Sequence, residues 1–181
     1  MSETPPDDVQ ALVARYLPSI RAFVRMRMGA ELRAKEESCD IVQSVAREVL
    51  QYSDRFGHGG EEGFRDWLFT TAHRKVVRRL RHWRTAKRQN QQETALPEEL
   101  AGLVPTPSLH ASAREHLAAV EKALDALSDE QRDVLTWSRL VGLSHAQIAE
   151  RLGKTEVAVR KILSRALARL SVVLEENDPE D

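Results

Sequence analysis

Between Ser128 and Leu170 the chain spells out three short helices whose ends are already fixed by local chemistry. Ser128 with Gln131, and Ser144 with Gln147, form two S-x-x-Q pairs. In each, the serine oxygen accepts from the amide three residues on, and the glutamine side chain returns to the serine amide; two donors that a helix start leaves open are satisfied. Gly142 and Gly153 stand where these helices must stop, because glycine enters the left-handed region at least cost. Thr155 then caps a third helix in which Val159, Ile162, Leu163, Ala166 and Leu170 recur at three- and four-residue steps. Its other side carries Arg160, Lys161, Ser164 and Arg165. This is the pattern of a helix-turn-helix whose last helix enters the major groove of DNA. The same geometry also packs cores that never touch DNA, and charge separates the two readings: from Lys154 to Arg169 there are five bases against Glu156 alone.

A formal net charge of −1 over 181 residues would argue against nucleic acid if the charge were evenly spread. It is segregated instead. Between Gly63 and Arg88 stand Arg65, Arg74, Lys75, Arg78, Arg79, Arg81, Arg84, Lys87 and Arg88 against Asp66, which leaves the remainder strongly acidic. Two basic helices in an acidic chain imply one partner with phosphates and another surface facing something else. A composition rich in Leu, Ala, Arg and Glu, with 5% aromatic residues, predicts an all-α fold. No apolar run is long enough to span a membrane, and MSETPPDD has neither the basic nor the apolar segment of a signal peptide, so a cytoplasmic location is expected. The lone Cys39 is expected to be buried. Neither it nor the six histidines gives a metal-site spacing, and no cofactor is expected.

Taken in order, residues 1–8 are expected to be disordered. A first domain over 9–88 begins with a helix pattern (Leu12, Val13, Tyr16, Ile20, Phe23, Val24, Met28) that Pro18 should kink or interrupt, closing near Gly29. Residues 31–38 show little periodicity. From Asp40 to Tyr52, Ile41, Val42, Val45, Val49 and Leu50 share one side and Asp40, Gln43, Ser44, Arg47 and Glu48 the other. The glycine-rich stretch 53–62 reads as a loop. A helix from about Gly63 to Arg88 should bury Phe64, Leu68, Ala72, Val76, Leu80 and Trp83 and leave its basic residues on the remaining arc. Ordinary solvated helix faces mix both signs; one acid against nine bases does not. Residues 89–112, with three prolines, form a linker. The second domain, 113–174, opens with Leu117, Val120, Leu124 and Leu127 spaced to pack on the helix-turn-helix, and 175–181 is an acidic tail.

Three pieces in this order resemble the bacterial RNA polymerase sigma factors of the extracytoplasmic-function class, over about Val9 to Leu170. The family's Asp-Leu-Val-Gln motif stands here as Asp40, Ile41, Val42 and Gln43, with Ser44 in place of the usual acid. Its Phe-x-x-Trp-Leu entry into an arginine-rich helix appears as Phe64, Trp67 and Leu68 followed by Arg78, Arg79 and Arg81. Its closing domain is matched by Leu127, Arg132, Val134 and Leu135, then Ile148, Ala149, Leu152 and Gly153, and the Leu-Ser-Arg-Ala-Leu ending.

The resemblance implies two helical domains on a linker, with core RNA polymerase and promoter DNA as partners and an anti-sigma protein as a candidate regulator. It assigns polymerase binding to Asp40 and Gln43, helped by Arg47 and Glu48. The minus-ten element would fall to residues 54–62 and the basic helix, with Arg74, Lys75, Arg78, Arg79 and Arg81, and Phe56 and Phe64 would be stacking surfaces if they are not core. The minus-thirty-five element would fall to Arg160, Lys161, Ser164 and Arg165, with Arg169 on phosphate. Opening a duplex yields a strand that needs a cationic groove, and an arginine paired with guanine contributes about 1–3 kcal/mol of discrimination.

Two rivals stand beside this reading. A helix-turn-helix regulator acting without stable polymerase association would carry a receiver or ligand domain in its first half, where no strand pattern is found. A nuclease or recombinase would need clustered carboxylates or a nucleophile with a base. Asp54, Glu61, Glu62 and Asp66, with His58 and His73, are the nearest approach, and loop solvation accounts for them better.

Overall fold

The computed structural model describes residues 6–53, 60–90 and 119–176. All regular structure among them is helical: α1 (Pro6–Arg33), α2 (Ser38–Gln51), α3 (Gly60–Asn90), α4 (119–125), α5 (Asp129–Thr136), α6 (His145–Leu152) and α7 (Glu156–Glu175). Two compact units hold them, the first built from α1, α2 and α3 through Trp83 together with Arg139–Gly142, the second containing the end of α3 from Arg84 and α4 to α7.

In the first unit three apolar helix faces meet. Ile20, Phe23, Val24, Met28 and Leu32 of α1 are buried with Ile41, Val42, Val45 and Val49 of α2 and Phe64, Leu68, Phe69, Ala72 and Val76 of α3. Phe23 and Phe69 meet edge to face at 5.2 Å, a geometry favoured by the ring quadrupoles. α1 starts at Pro6, inside the stretch expected to be disordered, with proline at the first helical position, where its missing donor costs nothing. Pro18 does not interrupt it. Pro18 and Ala14 are both exposed, so the carbonyl that proline leaves without a donor faces water. The break falls at buried Gly29 instead, at φ 67° and ψ 167°.

Several sequence expectations are corrected by where side chains lie. Cys39 is exposed, since the first turn of α2 turns Ile41 and Val42 inward and Cys39 outward. Leu50 and Val120, placed on buried faces by periodicity, are 41% and 38% exposed. α3 begins at Gly60, so Glu61 and Glu62 lie in its first turn and not in a loop. Phe64 is core, fully buried, and Trp83 sits at the core edge with its indole N–H donating to Glu36 at 2.8 Å. Phe56, Leu117 and the linker expected over 89–112, apart from the end of α3, lie outside the described residues.

The second unit is set by local chemistry. Both capping boxes form: the Gln131 amide donates to Ser128 Oγ at 3.2 Å and the Ser128 amide to Gln131 Oε1 at 3.0 Å, while the Ser144 and Gln147 pair repeats the exchange at 2.8 and 3.2 Å. Thr155 caps α7 through the Ala158 amide at 3.2 Å. Gly153 closes α6 in the left-handed region, at φ 63°. α5 runs on into a wider π-turn over Trp137–Val141 that periodicity did not anticipate, and Gly142, at φ 77°, ends it. Trp137 is fully buried, with the Arg151 guanidinium 4.3 Å from its ring centroid. Buried Arg132 donates to the Leu124 and Leu127 carbonyls at 3.2 and 3.1 Å, capping the end of α4 with a positive charge where the helix dipole favours one. α5 and α6 both pack on α7, which buries Val159, Leu163 and Ala166.

Candidate nucleic-acid and protein interfaces

Among the described residues, the face of α7 opposite those buried residues is a cationic surface without an ion-pair partner. Arg160, Lys161, Ser164, Arg165 and Arg169 are all exposed, and none of them makes an ion pair or side-chain hydrogen bond to another described residue. The cause is geometric: α5 and α6 approach α7 from its apolar side only, so no carboxylate of theirs reaches the far side. Lys154, counted among the bases of this segment, is spent on Glu130 of α5 at 2.5 Å and belongs to the packing instead.

The basic arc of α3 is a different object. Arg74 and Lys75 both engage Glu48 of α2, Lys75 at 2.7 Å, and Lys75 also donates to Ser44 at 2.9 Å. Arg79 pairs with Glu36 at 3.1 Å, the same carboxylate that accepts from Trp83. Arg65 lies 3.9 Å from Glu62. Arg78 and Arg81 are exposed and without an ion pair among the described residues. Burial alone would push the Glu48 carboxyl up, but the hydrogen bond and charge of Lys75 and the charge of Arg74 outweigh it and hold Glu48 below the ordinary carboxylate value. Three of the five cations that sequence reasoning assigned to DNA are thus also the pins that hold α3 against α2 and the turn before it.

On α2, Asp40, Gln43 and Arg47 are exposed along one stripe, and Leu50 continues it with apolar surface. Asp40 accepts a weak contact from the neighbouring Cys39 thiol at 3.9 Å; Gln43 and Arg47 are bound by no other described residue. Glu48, grouped with them from the sequence, faces α3 instead, because it lies on the flank of α2 that also carries Ser44.

Sequence reasoning missed Glu36, whose side chain is 12% exposed and which ties down Arg79 and Trp83. The one signal available was the strongly acidic balance of the remainder, which supplies carboxylates enough to neutralise a basic arc. At the start of α3, Glu61 accepts from Tyr16 at 2.9 Å and from Arg15 at 2.6 Å, and these two hydrogen bonds hold its carboxyl below the ordinary value. Glu61 is therefore tied to α1 while Glu62 stays largely exposed, and no group of His, Cys, Asp or Glu among the described residues is placed to hold a metal ion. Asp54 and His58 lie outside those residues. No described helix is long and apolar enough to cross a membrane.

Comparison with known proteins agrees with this two-part layout. Residues 12–88 match the family model described as Sigma-70 region 2, and residues 117–170 match that described as Sigma-70, region 4. The RNA polymerase sigma factor CnrH of Cupriavidus metallidurans is 30% identical over 186 residues, covering 94% of this chain and 96% of its own. The RNA polymerase sigma factor NccH of Alcaligenes xylosoxydans xylosoxydans is 30% identical over 141 residues, 75% of this chain and 72% of its own. Among solved structures, the sigma factor RpoE of Bartonella quintana, in complex with the anti-sigma factor NepR, superposes with a TM-score of 0.64 at 22% identity, over 93% of this chain and 97% of that one.

Proposed function

The chain belongs to the sigma-70 family, in its extracytoplasmic-function class, and from that premise we propose how its surfaces are divided between polymerase and promoter. It is a sigma factor: it binds core RNA polymerase and directs promoter-specific transcription initiation. It works in the cytoplasm, by binding and not by catalysis, and an anti-sigma protein is its candidate regulator, supported by the similar sigma factor RpoE having been solved in complex with one.

Residues 9–88 serve polymerase and the minus-ten element, 113–174 serve the minus-thirty-five element, 89–112 link them, and 175–181 are an acidic tail. Asp40, Gln43 and Arg47 contact core polymerase, with Leu50 adding apolar area at the end of that stripe. Glu48 supports them indirectly by fixing α3. On α3, Arg78 and Arg81 meet phosphates of the opened strand directly; Arg74 and Arg79, about half exposed, offer the donors their carboxylates leave free, and Lys75 is positional. On α7, Arg160, Lys161, Ser164 and Arg165 face the upstream element and Arg169 its phosphate backbone. The observation that supports this division is the cationic face of α7, which no carboxylate among the described residues neutralises. Neither domain has to bind DNA tightly alone, since attachment of both to one polymerase raises the effective concentration of the second contact.

Reconstitution with bacterial core polymerase and a random promoter library should yield transcripts that depend on promoter sequence; none from any sequence would reject the assignment. Within it, Asp40→Ala should lower affinity for core polymerase and leave upstream-element recognition intact, measured by polymerase pull-down and by footprinting of the reassembled complex. Arg165→Ala should do the reverse. Equal loss of polymerase affinity in both would overturn the division.

A further inference from the structure

Two exposed apolar side chains, Val157 and the smaller Ala168, lie along the midline of the cationic face of α7, Val157 at its N-terminal end next to Glu156. Val157, in the helix's first turn, is 53% exposed. The described residues leave more than half of it uncovered, and a β-branched residue at a solvent-facing helical position costs propensity relative to alanine. At 100° per residue, Val157, Lys161 and Ser164 lie within about 60° of one another, on the side opposite buried Val159, Leu163 and Ala166. Arg160 flanks that midline on one side, Arg165 and Arg169 on the other. A helix seated in the major groove directs its midline at the base edges and its flanks at the groove walls, and its N-terminal residues go deepest. The exposed Val172 and Leu174 lie roughly 22–25 Å further along the axis, outside the reach of the same groove.

We propose that Val157 selects a thymine in the upstream promoter element by packing against its C5-methyl group. That methyl is the one apolar feature a base pair presents in the major groove, and it is the natural partner for an uncharged, branched side chain among cations. Arg160, Arg165 and Arg169 hold the helix in place through phosphate and outer base contacts, and Lys161 and Ser164 read polar base edges beside the valine. The inference rests on the reading of α7 as the upstream-element helix and adds a residue to it.

The test uses the reassembled polymerase complex. Upstream elements are selected from a randomised duplex, and each thymine in the selected sequence is replaced in turn by deoxyuridine, which removes only the methyl group. For the unaltered chain, one position should lose about three- to fivefold in affinity on replacement, the effect of one buried methyl. Val157→Ala should lose a similar factor on thymine and nothing further on deoxyuridine, so that the two changes are not additive. Val157→Ile should keep the discrimination. If no thymine is enriched, or if deoxyuridine costs Val157→Ala as much as it costs the unaltered chain, Val157 does not read thymine. Failure of the premise looks different: selection would then enrich no upstream sequence at all, and Arg160→Ala would leave binding unchanged.

Discussion

Two helices with nearly the same sequence signature, a run of arginine and lysine opposite an apolar stripe, end up in opposite electrostatic states. α7 keeps its cations bare, whereas α3 has Arg74, Lys75 and Arg79 turned toward Glu48 and Glu36. The difference lies in the neighbours. Among the described residues α7 buries its apolar side against α5 and α6, while α2 and the turn before it bring carboxylates up to the flank of α3. A count of bases on a helix therefore measures how much charge is available, and the neighbouring elements determine how much of it remains for phosphate. In α3 the cations serve twice, as fold and as surface.

The sharpest way to break this comparison is at α7. Arg160→Ala should weaken binding of the upstream element by about five- to 150-fold, the ~1–3 kcal/mol of one good arginine contact to a base, with no change in thermal unfolding. A fall in stability instead would mean that the α7 face is structural after all.

The next largest effect should split α3 into its two populations. Lys75→Ala leaves the half-buried Glu48 carboxylate short of the more buried of its two cationic partners and should destabilise the chain by about 1–3 kcal/mol in denaturant unfolding. Arg81→Ala should leave stability within ~0.5 kcal/mol and lower the salt dependence of promoter-complex formation by roughly 0.7–0.9 in log–log slope, one phosphate contact's share. If Lys75→Ala and Arg81→Ala gave the same pair of changes, the distinction between pinning and gripping cations would be lost.

The smallest effect is a dependence on acid. Glu48 has its folded carboxyl held below the unfolded value of 4.5, so its contribution is fully present above that pH and is lost as pH falls through the lower folded value. Melting temperature should drop between about pH 5 and about pH 3 by less in Glu48→Gln than in the unaltered chain. Equal drops would assign the acid sensitivity to other carboxylates.

What the sequence determined by itself was everything governed by contacts three or four residues apart. The serine–glutamine boxes, the glycine stops, the Thr155 cap and the buried stripe of α7 are local, because the partners of each interaction lie within one turn of the same helix. The family motifs are local for the same reason, which is why the fold class and the sigma-factor reading are legible in the order of residues alone. Tertiary structure alone decided the fate of the α3 cations. Arg79 meets a carboxylate 43 positions away in sequence and Lys75 a hydroxyl 31 away. Such pairs follow from how helices pack, as does the exposure of Leu50 and Val157 on positions that periodicity or composition would have treated as ordinary. Periodicity says which side of a helix is apolar; only the arrangement of its neighbours says what the other side meets.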